Sequence, residues 1–425
     1  MSLKKTLSVI LMTTFLLGAC GKSDTSKEEK TTENIAGEIT VLTNRTDGDA
    51  IFKTIEDKFI EENPDVTAVH FENIADYDST VTTRLNSGDY GDVLFIPFSM
   101  AGNRAEYPNY FESLGTIPEL QDKYLDVREA DFDDQVYGLP VALNSLGFIY
   151  NEKVLRDAGI TDIPKTTAEF VNNLKTIKEK TDATPFYTNY QAVAVWAGAL
   201  TSFGGEQYKT KTLEAGDAFA KGQPIREVMD LFYTMSSNGL IEPDPVTMDS
   251  QKAFQDLADG KVAMLMNGSQ EVAGIQKLTK DPIAIMNFPV ETDGRRSLPL
   301  GAPAVIGINK HSKNKETAKA FVEFFDSSAS GYAKDLNGMP NKISDLSPEQ
   351  KEVVDNSHVI LTVATETPEV NDAYAKIADE VGVSRLTDVL QKTINIGLYP
   401  DKNESYDDYI AQLSKKWQEA EQHND

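Results

Sequence analysis

From Glu38 onward, short apolar runs alternate with longer stretches in which apolar residues fall three or four apart. "EITVLTN" reads as a strand over residues 39–43 that opens into a polar loop, 44–49. Ile51, Phe52, Ile55 and Phe59 then recur at helical spacing until Asn63 and Pro64 stop the run. "VTAVHF" alternates as a second strand, Tyr77, Val81 and Leu85 mark a second helix, and "DVLFIP" (92–97) is a continuous apolar strand. Strands and helices in this alternation, with short links, predict an α/β fold whose mostly parallel sheet is flanked by helices. Ligands of such sheets meet the loops at the carboxyl ends of the strands, here 44–49 and 98–103.

The pattern continues downstream. In "VYGLPVALNSLGFIYNEKVLRDAGI" a turn at 136–140 feeds an extended apolar segment, 146–150, and a helix over 152–158 ends at Gly159. Thr166 and Glu169 have the spacing of a capping box and start a helix lined by Phe170, Leu174 and Ile177. In "ADGKVAMLMNGSQ" Gly260 ends a helix, residues 262–266 form a strand, and Asn267 and Gly268 turn it. "GAPAVIGINKHSKNKETAKAFVEFF" gives a strand, a basic loop and a helix lined by Ala318, Phe321, Val322 and Phe325. Tyr406, Tyr409, Ile410, Leu413 and Trp417 form a helical stripe, which places Trp417 in the core.

The first 36 residues read differently. Lys4 and Lys5 precede an apolar run, 7–17, that is too short for the ~20 residues of a membrane span and fits a secretory leader. Leu17-Gly18-Ala19-Cys20 resembles a bacterial lipobox, which implies a signal peptide over 1–19 and a lipidated Cys20 anchoring the chain to the membrane. Cys20 is the sole cysteine, so no disulfide can form within the chain. Residues 21–34 contain no large apolar side chain and read, within the segment 20–36, as a disordered tether.

Of the 425 residues, the part beyond the tether exceeds what one core usually holds, so two lobes are expected. The net charge of −26 argues against nucleic acid and against lying flat on anionic lipid. His70, His311, His358 and His423 lack metal-ligand spacing, and neither H-E-x-x-H nor G-x-S-x-G occurs. Gly260-Lys261 lacks the upstream glycine of a P-loop, and Asp131, Asp133 and Asp134 miss the spacing of a calcium loop. No motif points to catalysis, a metal or a cofactor. Two carboxylates brought together in space for glycoside hydrolysis remain open.

Five elements in register, "YG-P", "YNE…AG", "P-T--E", "DGK-AM---GS" and "GIN--SKN-E-A--F", resemble the extracellular solute-binding proteins of bacterial ABC importers that serve mainly sugars and oligosaccharides. The resemblance runs from about residue 38 to about 342. It implies a two-lobed, periplasmic-binding-protein-like fold with the ligand in the cleft between lobes. Lobe 1 would comprise 37–142 and 303–334, and lobe 2 would comprise 143–302 and 335–425. The partners it implies are a membrane permease and a separate ATPase, with the receptor a monomer held by lipid on the outer face of a Gram-positive membrane.

A sugar site needs flat aromatic faces for the ring and planar amides or charged groups for the hydroxyls. Candidates on cleft-facing loops are Asn44, Arg45, Asp47, Asp76, Tyr77, Asn144 at the first crossing, Tyr190, Gln191, Trp196, Asn267 and Met339, with the Gly301-Ala302-Pro303 turn beside them. Asp76 has an alternative use as a helix N-cap, and Tyr77 and Trp196 as core. Gln270 departs from the family, many of whose sugar-binding members carry tryptophan there as a stacking surface. Three readings follow: Trp196 or Tyr190 takes over, the ligand is small and held by hydrogen bonds, or it is not a typical sugar. A polyamine, another cation, a phosphorylated compound or ferric ion would fit the last, although no Tyr-Tyr pair for iron occurs. A surface-anchored hydrolase or adhesin is the alternative from another class.

Overall fold

The computed structural model describes residues 34–424 apart from 191, 192, 194, 195, 248, 249, 293, 363–365 and 385. The leader, Cys20 and Gln191 lie outside the described residues. Five strands form one sheet, in the spatial order Val66–Asn73, Gly37–Thr43, Val93–Phe95, Val305–Ile308, Gly138–Pro140. Gly37–Thr43 is parallel to both neighbours, whereas Val305–Ile308 is antiparallel to both of its own. The helices Asp49–Glu62, Tyr77–Ser87 and Lys315–Phe325 bury the apolar stripes read from the sequence against this sheet. Their core is rich in aromatic rings: Phe59 meets Phe321 edge-on at 5.1 Å, and Phe325 lies 4.5 Å from Tyr332.

The second sheet is built on Asn144–Asn151, which pairs antiparallel with Val262–Gly268, Ile283–Met286 and Arg295–Gly301. Thr184–Tyr187 joins parallel to Val262–Gly268, and Ser357–Leu361 joins parallel to Arg295–Gly301. Apart from the two-residue strand Glu291–Thr292, each sheet therefore runs one way except for a single strand. Those exceptions, Val305–Ile308 and Asn144–Asn151, each follow a strand of the other sheet across a link of three residues. A strand that begins where the others end must run against them. The expected parallel architecture holds with that one reversal per sheet.

Two local expectations are corrected. Val262–Gly268 runs straight through Asn267 and Gly268, because both pair with the neighbouring strand at Gly147 and Leu146. At the helix Thr167–Lys180, Thr166 Oγ1 accepts the Glu169 amide at 3.2 Å, but the Glu169 carboxylate takes the Lys165 amide at 2.7 Å, so the box is only half formed. Beyond Pro340, Asn341 accepts from the amides of Asp126 and Leu125, and Lys342 pairs with Tyr124. Trp417 is buried in the core, as its stripe predicts. No helix among the described residues is long and apolar enough to cross a membrane.

Candidate functional site

The carboxyl ends of the strands converge on two adjoining cavities that share Ala302 and Pro303 of the second crossing. The larger, about 570 Å³, is lined from the second sheet by Asn144, Thr201, Glu206, Tyr208, Lys209, Asn267, Gln270 and Glu366. The smaller, about 190 Å³, lies on the first sheet and is lined by Asn44, Tyr77, Asp78, Phe98, Tyr107 and Glu129. The Gly301-Ala302-Pro303 turn lines the larger cavity, in line with its sequence position.

Asn144 and Gln270 form the centre of the larger cavity. Asn144 opens the crossing strand, and Gln270 follows the strand paired with it, so the sheet register brings them together across 126 residues. Asn144 Nδ2 donates to Gln270 Oε1 at 2.9 Å. Ser145 and Ser269 fix the two backbones, the Ser269 amide donating to the Ser145 carbonyl at 2.8 Å. The Gln270 side chain folds back over Gly268, where a Cβ would lie 2.1 Å from Oε1, so the glycine gives this amide room to lie against the strand. Asn144 Oδ1 is buried with no partner among the described residues, an acceptor held without a hydrogen bond. Gly338 comes so close that a Cβ there would lie 2.5 Å from this oxygen.

Other sequence candidates are distributed unevenly. Asn44 lines the smaller cavity. Tyr77 lines it too, but its ring is core and its hydroxyl donates to the Phe95 carbonyl at 2.6 Å. Arg45 pairs with Asp335 at 2.6 Å and Asp47 at 3.1 Å and lies 5.5 Å from the Tyr332 ring. Neither Arg45 nor Asp47 lines either cavity; the pair ties the first loop to the helix Tyr332–Asp335. Asp76 stands exposed at the start of Tyr77–Ser87 and caps nothing with its side chain, while Asp78 reaches the cavity and accepts the Ser99 amide at 3.2 Å. Met339 pairs its backbone with Leu143 and lines a separate cavity.

Trp196 and Tyr190 do not supply the missing ring. Trp196 is 0% exposed, packed among Phe148, Phe186, Phe232 and Phe288. Tyr190 is buried in the same core, its hydroxyl accepting from Asn395 at 2.9 Å. Both serve the core.

Several lining residues carried no readable sequence signal. Lys209 is half-buried, donates to Asn371 Oδ1 at 2.6 Å and lies 5.9 Å from the rings of Tyr208 and Tyr374; burial lowers its pKa against the pull of Glu366. Glu366 accepts the Thr210 amide at 2.6 Å. Glu129 accepts the Ala302 amide at 3.4 Å, and burial, with Asp126 adding repulsion, pushes its carboxyl up to about 7. Tyr208 and Lys209 open the helix Tyr208–Ala215, Glu206 lies in the turn that joins it to the helix Ala197–Gly204, and Glu366 comes from the segment after Ser357–Leu361. The rule of strand ends could have reached only Glu366. Among the described residues no group of three or more His, Cys, Asp or Glu could hold a metal ion.

Two lobes of α/β structure with cavities at the strand ends define a solute-binding protein. The chain belongs to the bacterial extracellular solute-binding protein family, whose model matches residues 43–331. It is 30% identical over 224 residues to the diacetylchitobiose binding protein DasA of Streptomyces coelicolor, a match spanning 51% of either chain, about half of that relative's length. It is 22% identical over 330 residues to the maltodextrin-binding protein MdxE of Bacillus subtilis, covering 75% of this chain and 77% of that one. Among solved structures it resembles BlMnBP1 of Bifidobacterium animalis subsp. lactis in complex with mannobiose, with a TM-score of 0.71, 25% identity and coverage of 92% and 95%. The manno-oligosaccharide binding protein BlMnBP2 of the same organism, in complex with mannotriose, gives a TM-score of 0.71 at 26% identity, covering 93% and 96%.

Proposed function

We propose that this protein captures a short oligosaccharide in the two adjoining cavities and delivers it to an ABC permease driven by a separate ATPase. The observation that supports this most is the Asn144–Gln270 amide pair with its orphan oxygen, set beside charged groups in a cleft open to solvent. Paired amides recognise vicinal hydroxyls by donating to one and accepting from another. The relatives' sugar ligands support the same class. The lobes would divide as 37–142 with 303–334 and 143–302 with 335–425, and Cys20 would hold the monomer to the outer face of the membrane by lipid. Binding without turnover is the proposed chemistry.

A second reading rests on charge. Asp78, Glu129, Glu206 and Glu366 line the two cavities against one base, Lys209, among the described residues, a balance that suits a cation such as a polyamine. A thermal-shift panel of mannobiose, mannotriose, diacetylchitobiose, maltodextrins and polyamines separates the two. Ligand at 100 times its Kd adds about 2.7 kcal/mol of stability, a clear rise in Tm. A shift with one sugar series supports capture of carbohydrate; silence from all sugars with a polyamine shift overturns it.

A further inference from the structure

We infer that Phe98 is the aromatic surface on which the ligand's sugar ring lies, presented by the first lobe in place of the ring missing at Gln270; this rests on the carbohydrate reading above. Phe98 is 88% exposed, the most exposed large apolar side chain among the described residues. A single exposed apolar residue needs no explanation by itself. Its place does. Pro97 carries the chain in extended form off the end of Val93–Phe95, and Phe98 begins the short 3-10 turn Phe98–Gly102, so the ring stands at the wall of the smaller cavity.

The other aromatic residues there are committed. Phe95 and Tyr107 are buried, and Tyr77 is buried with its hydroxyl bonded to backbone. Tyr208, in the larger cavity, meets Tyr374 edge-on at 6.0 Å and lies beside Lys209. Both tryptophans, Trp196 and Trp417, are enclosed in the core. Among the described aromatic residues that line the two cavities, Phe98 offers a free face, and Asn44, Asp78 and Glu129 around it offer polar atoms to the hydroxyls at a ring's edge. A flat C–H surface flanked by acceptors and an amide matches a hexopyranose. The Asn144–Gln270 pair reaches the same ligand from the other lobe, so both lobes gain contacts only when the cleft holds sugar. A ligand favours the closed arrangement by as much as it prefers that arrangement over the open one.

The test uses the whole protein with Phe98→Ala, Phe98→Leu and Phe98→Trp, titrated by calorimetry with whichever oligosaccharide of the panel binds the parent. Phe98→Ala raises Kd about 10- to 100-fold, the loss expected for one buried aromatic side chain. Phe98→Leu recovers only part of it, and Phe98→Trp binds at least as well as the parent. Because the ring is exposed, the unliganded Tm of all three stays at that of the parent. The new tryptophan of Phe98→Trp also changes its fluorescence on sugar binding, a signal that the buried Trp196 and Trp417 do not give. If the parent binds sugar and Phe98→Ala binds within twofold of it, or the Phe98→Trp emission stays fixed at saturation, Phe98 is not the platform. If no sugar binds the parent, the carbohydrate reading falls first and takes this inference with it.

Discussion

Glu242 offers a measurement of burial unconnected with ligand. It is 1% exposed, and both carboxylate oxygens accept from Thr188, at 2.9 and 3.1 Å from its amide and again from its hydroxyl. Burial, the largest influence on it, pushes its pKa from the ordinary 4.5 up to about 7. A folded pKa above the unfolded one means that the native state holds the proton more tightly. Stability from this group is therefore complete below about pH 4.5 and is lost as pH rises through about 7. Between pH 5 and pH 8 the loss is about 2–3 kcal/mol. Glu242→Gln keeps the shape and cannot ionise. Urea unfolding of both proteins at pH 5 and pH 8, with ΔG extrapolated to water, separates this group from the general repulsion of an acidic chain. The parent loses about 2–3 kcal/mol more than Glu242→Gln across the interval. Glu119, Glu349 and Glu369 have lowered pKa values, so they act below pH 4.5 and do not interfere. An equal loss in parent and variant would refute the reasoning, because it would mean that Glu242 titrates normally despite its burial.

Three further outcomes follow from the cleft and the core. Gln270→Ala removes the partner of the Asn144 amide; Kd for the bound sugar rises about 5- to 50-fold in calorimetry, while the exposed position leaves the unliganded Tm unchanged. Gly338→Ala places a Cβ 2.5 Å from Asn144 Oδ1 and 3.0 Å from Ala142 Cβ, so it turns the amide away; affinity falls about tenfold in calorimetry, and a variant that binds as tightly as the parent would mean that this amide does not read the ligand. Trp196→Ala costs about 3–5 kcal/mol in chemical denaturation, and a folded variant still binds sugar; loss of binding at unchanged stability would return Trp196 to the site.

Most of the fold was legible because its elements are amphipathic and short. Ile55 and Phe59, Val81 and Leu85, and Phe321 and Phe325 each sit on the stripe that faces the first sheet, and period alone identifies them. The strand through Asn267 and Gly268 was not legible, since an Asn-Gly pair is also a strong turn signal and only the antiparallel partner at Gly147 and Leu146 overrides it. Trp196 and Tyr190 fall in the same category: an aromatic near a strand end fits core and cleft equally, and the choice depends on which way the following segment packs.

The site divides along the same line. Asn144 and Gln270 were reached through the resemblance, which marked the first crossing and the position after the strand 262–266. Glu206 and Lys209 were not, because a turn and helix that follow another helix carry no such address. Phe98 lay in a loop marked by position, 98–103, and was passed over because the search there was for polar groups. Pro97 decides the matter. Its extended backbone follows the end of the ladder and leads into the turn that starts at Phe98, so an apolar side chain stands in solvent at the mouth of a cavity. A residue that breaks its local pattern at a strand's carboxyl end is where a binding surface is to be sought, and here it lies on the lobe opposite the glutamine that replaced the family's tryptophan.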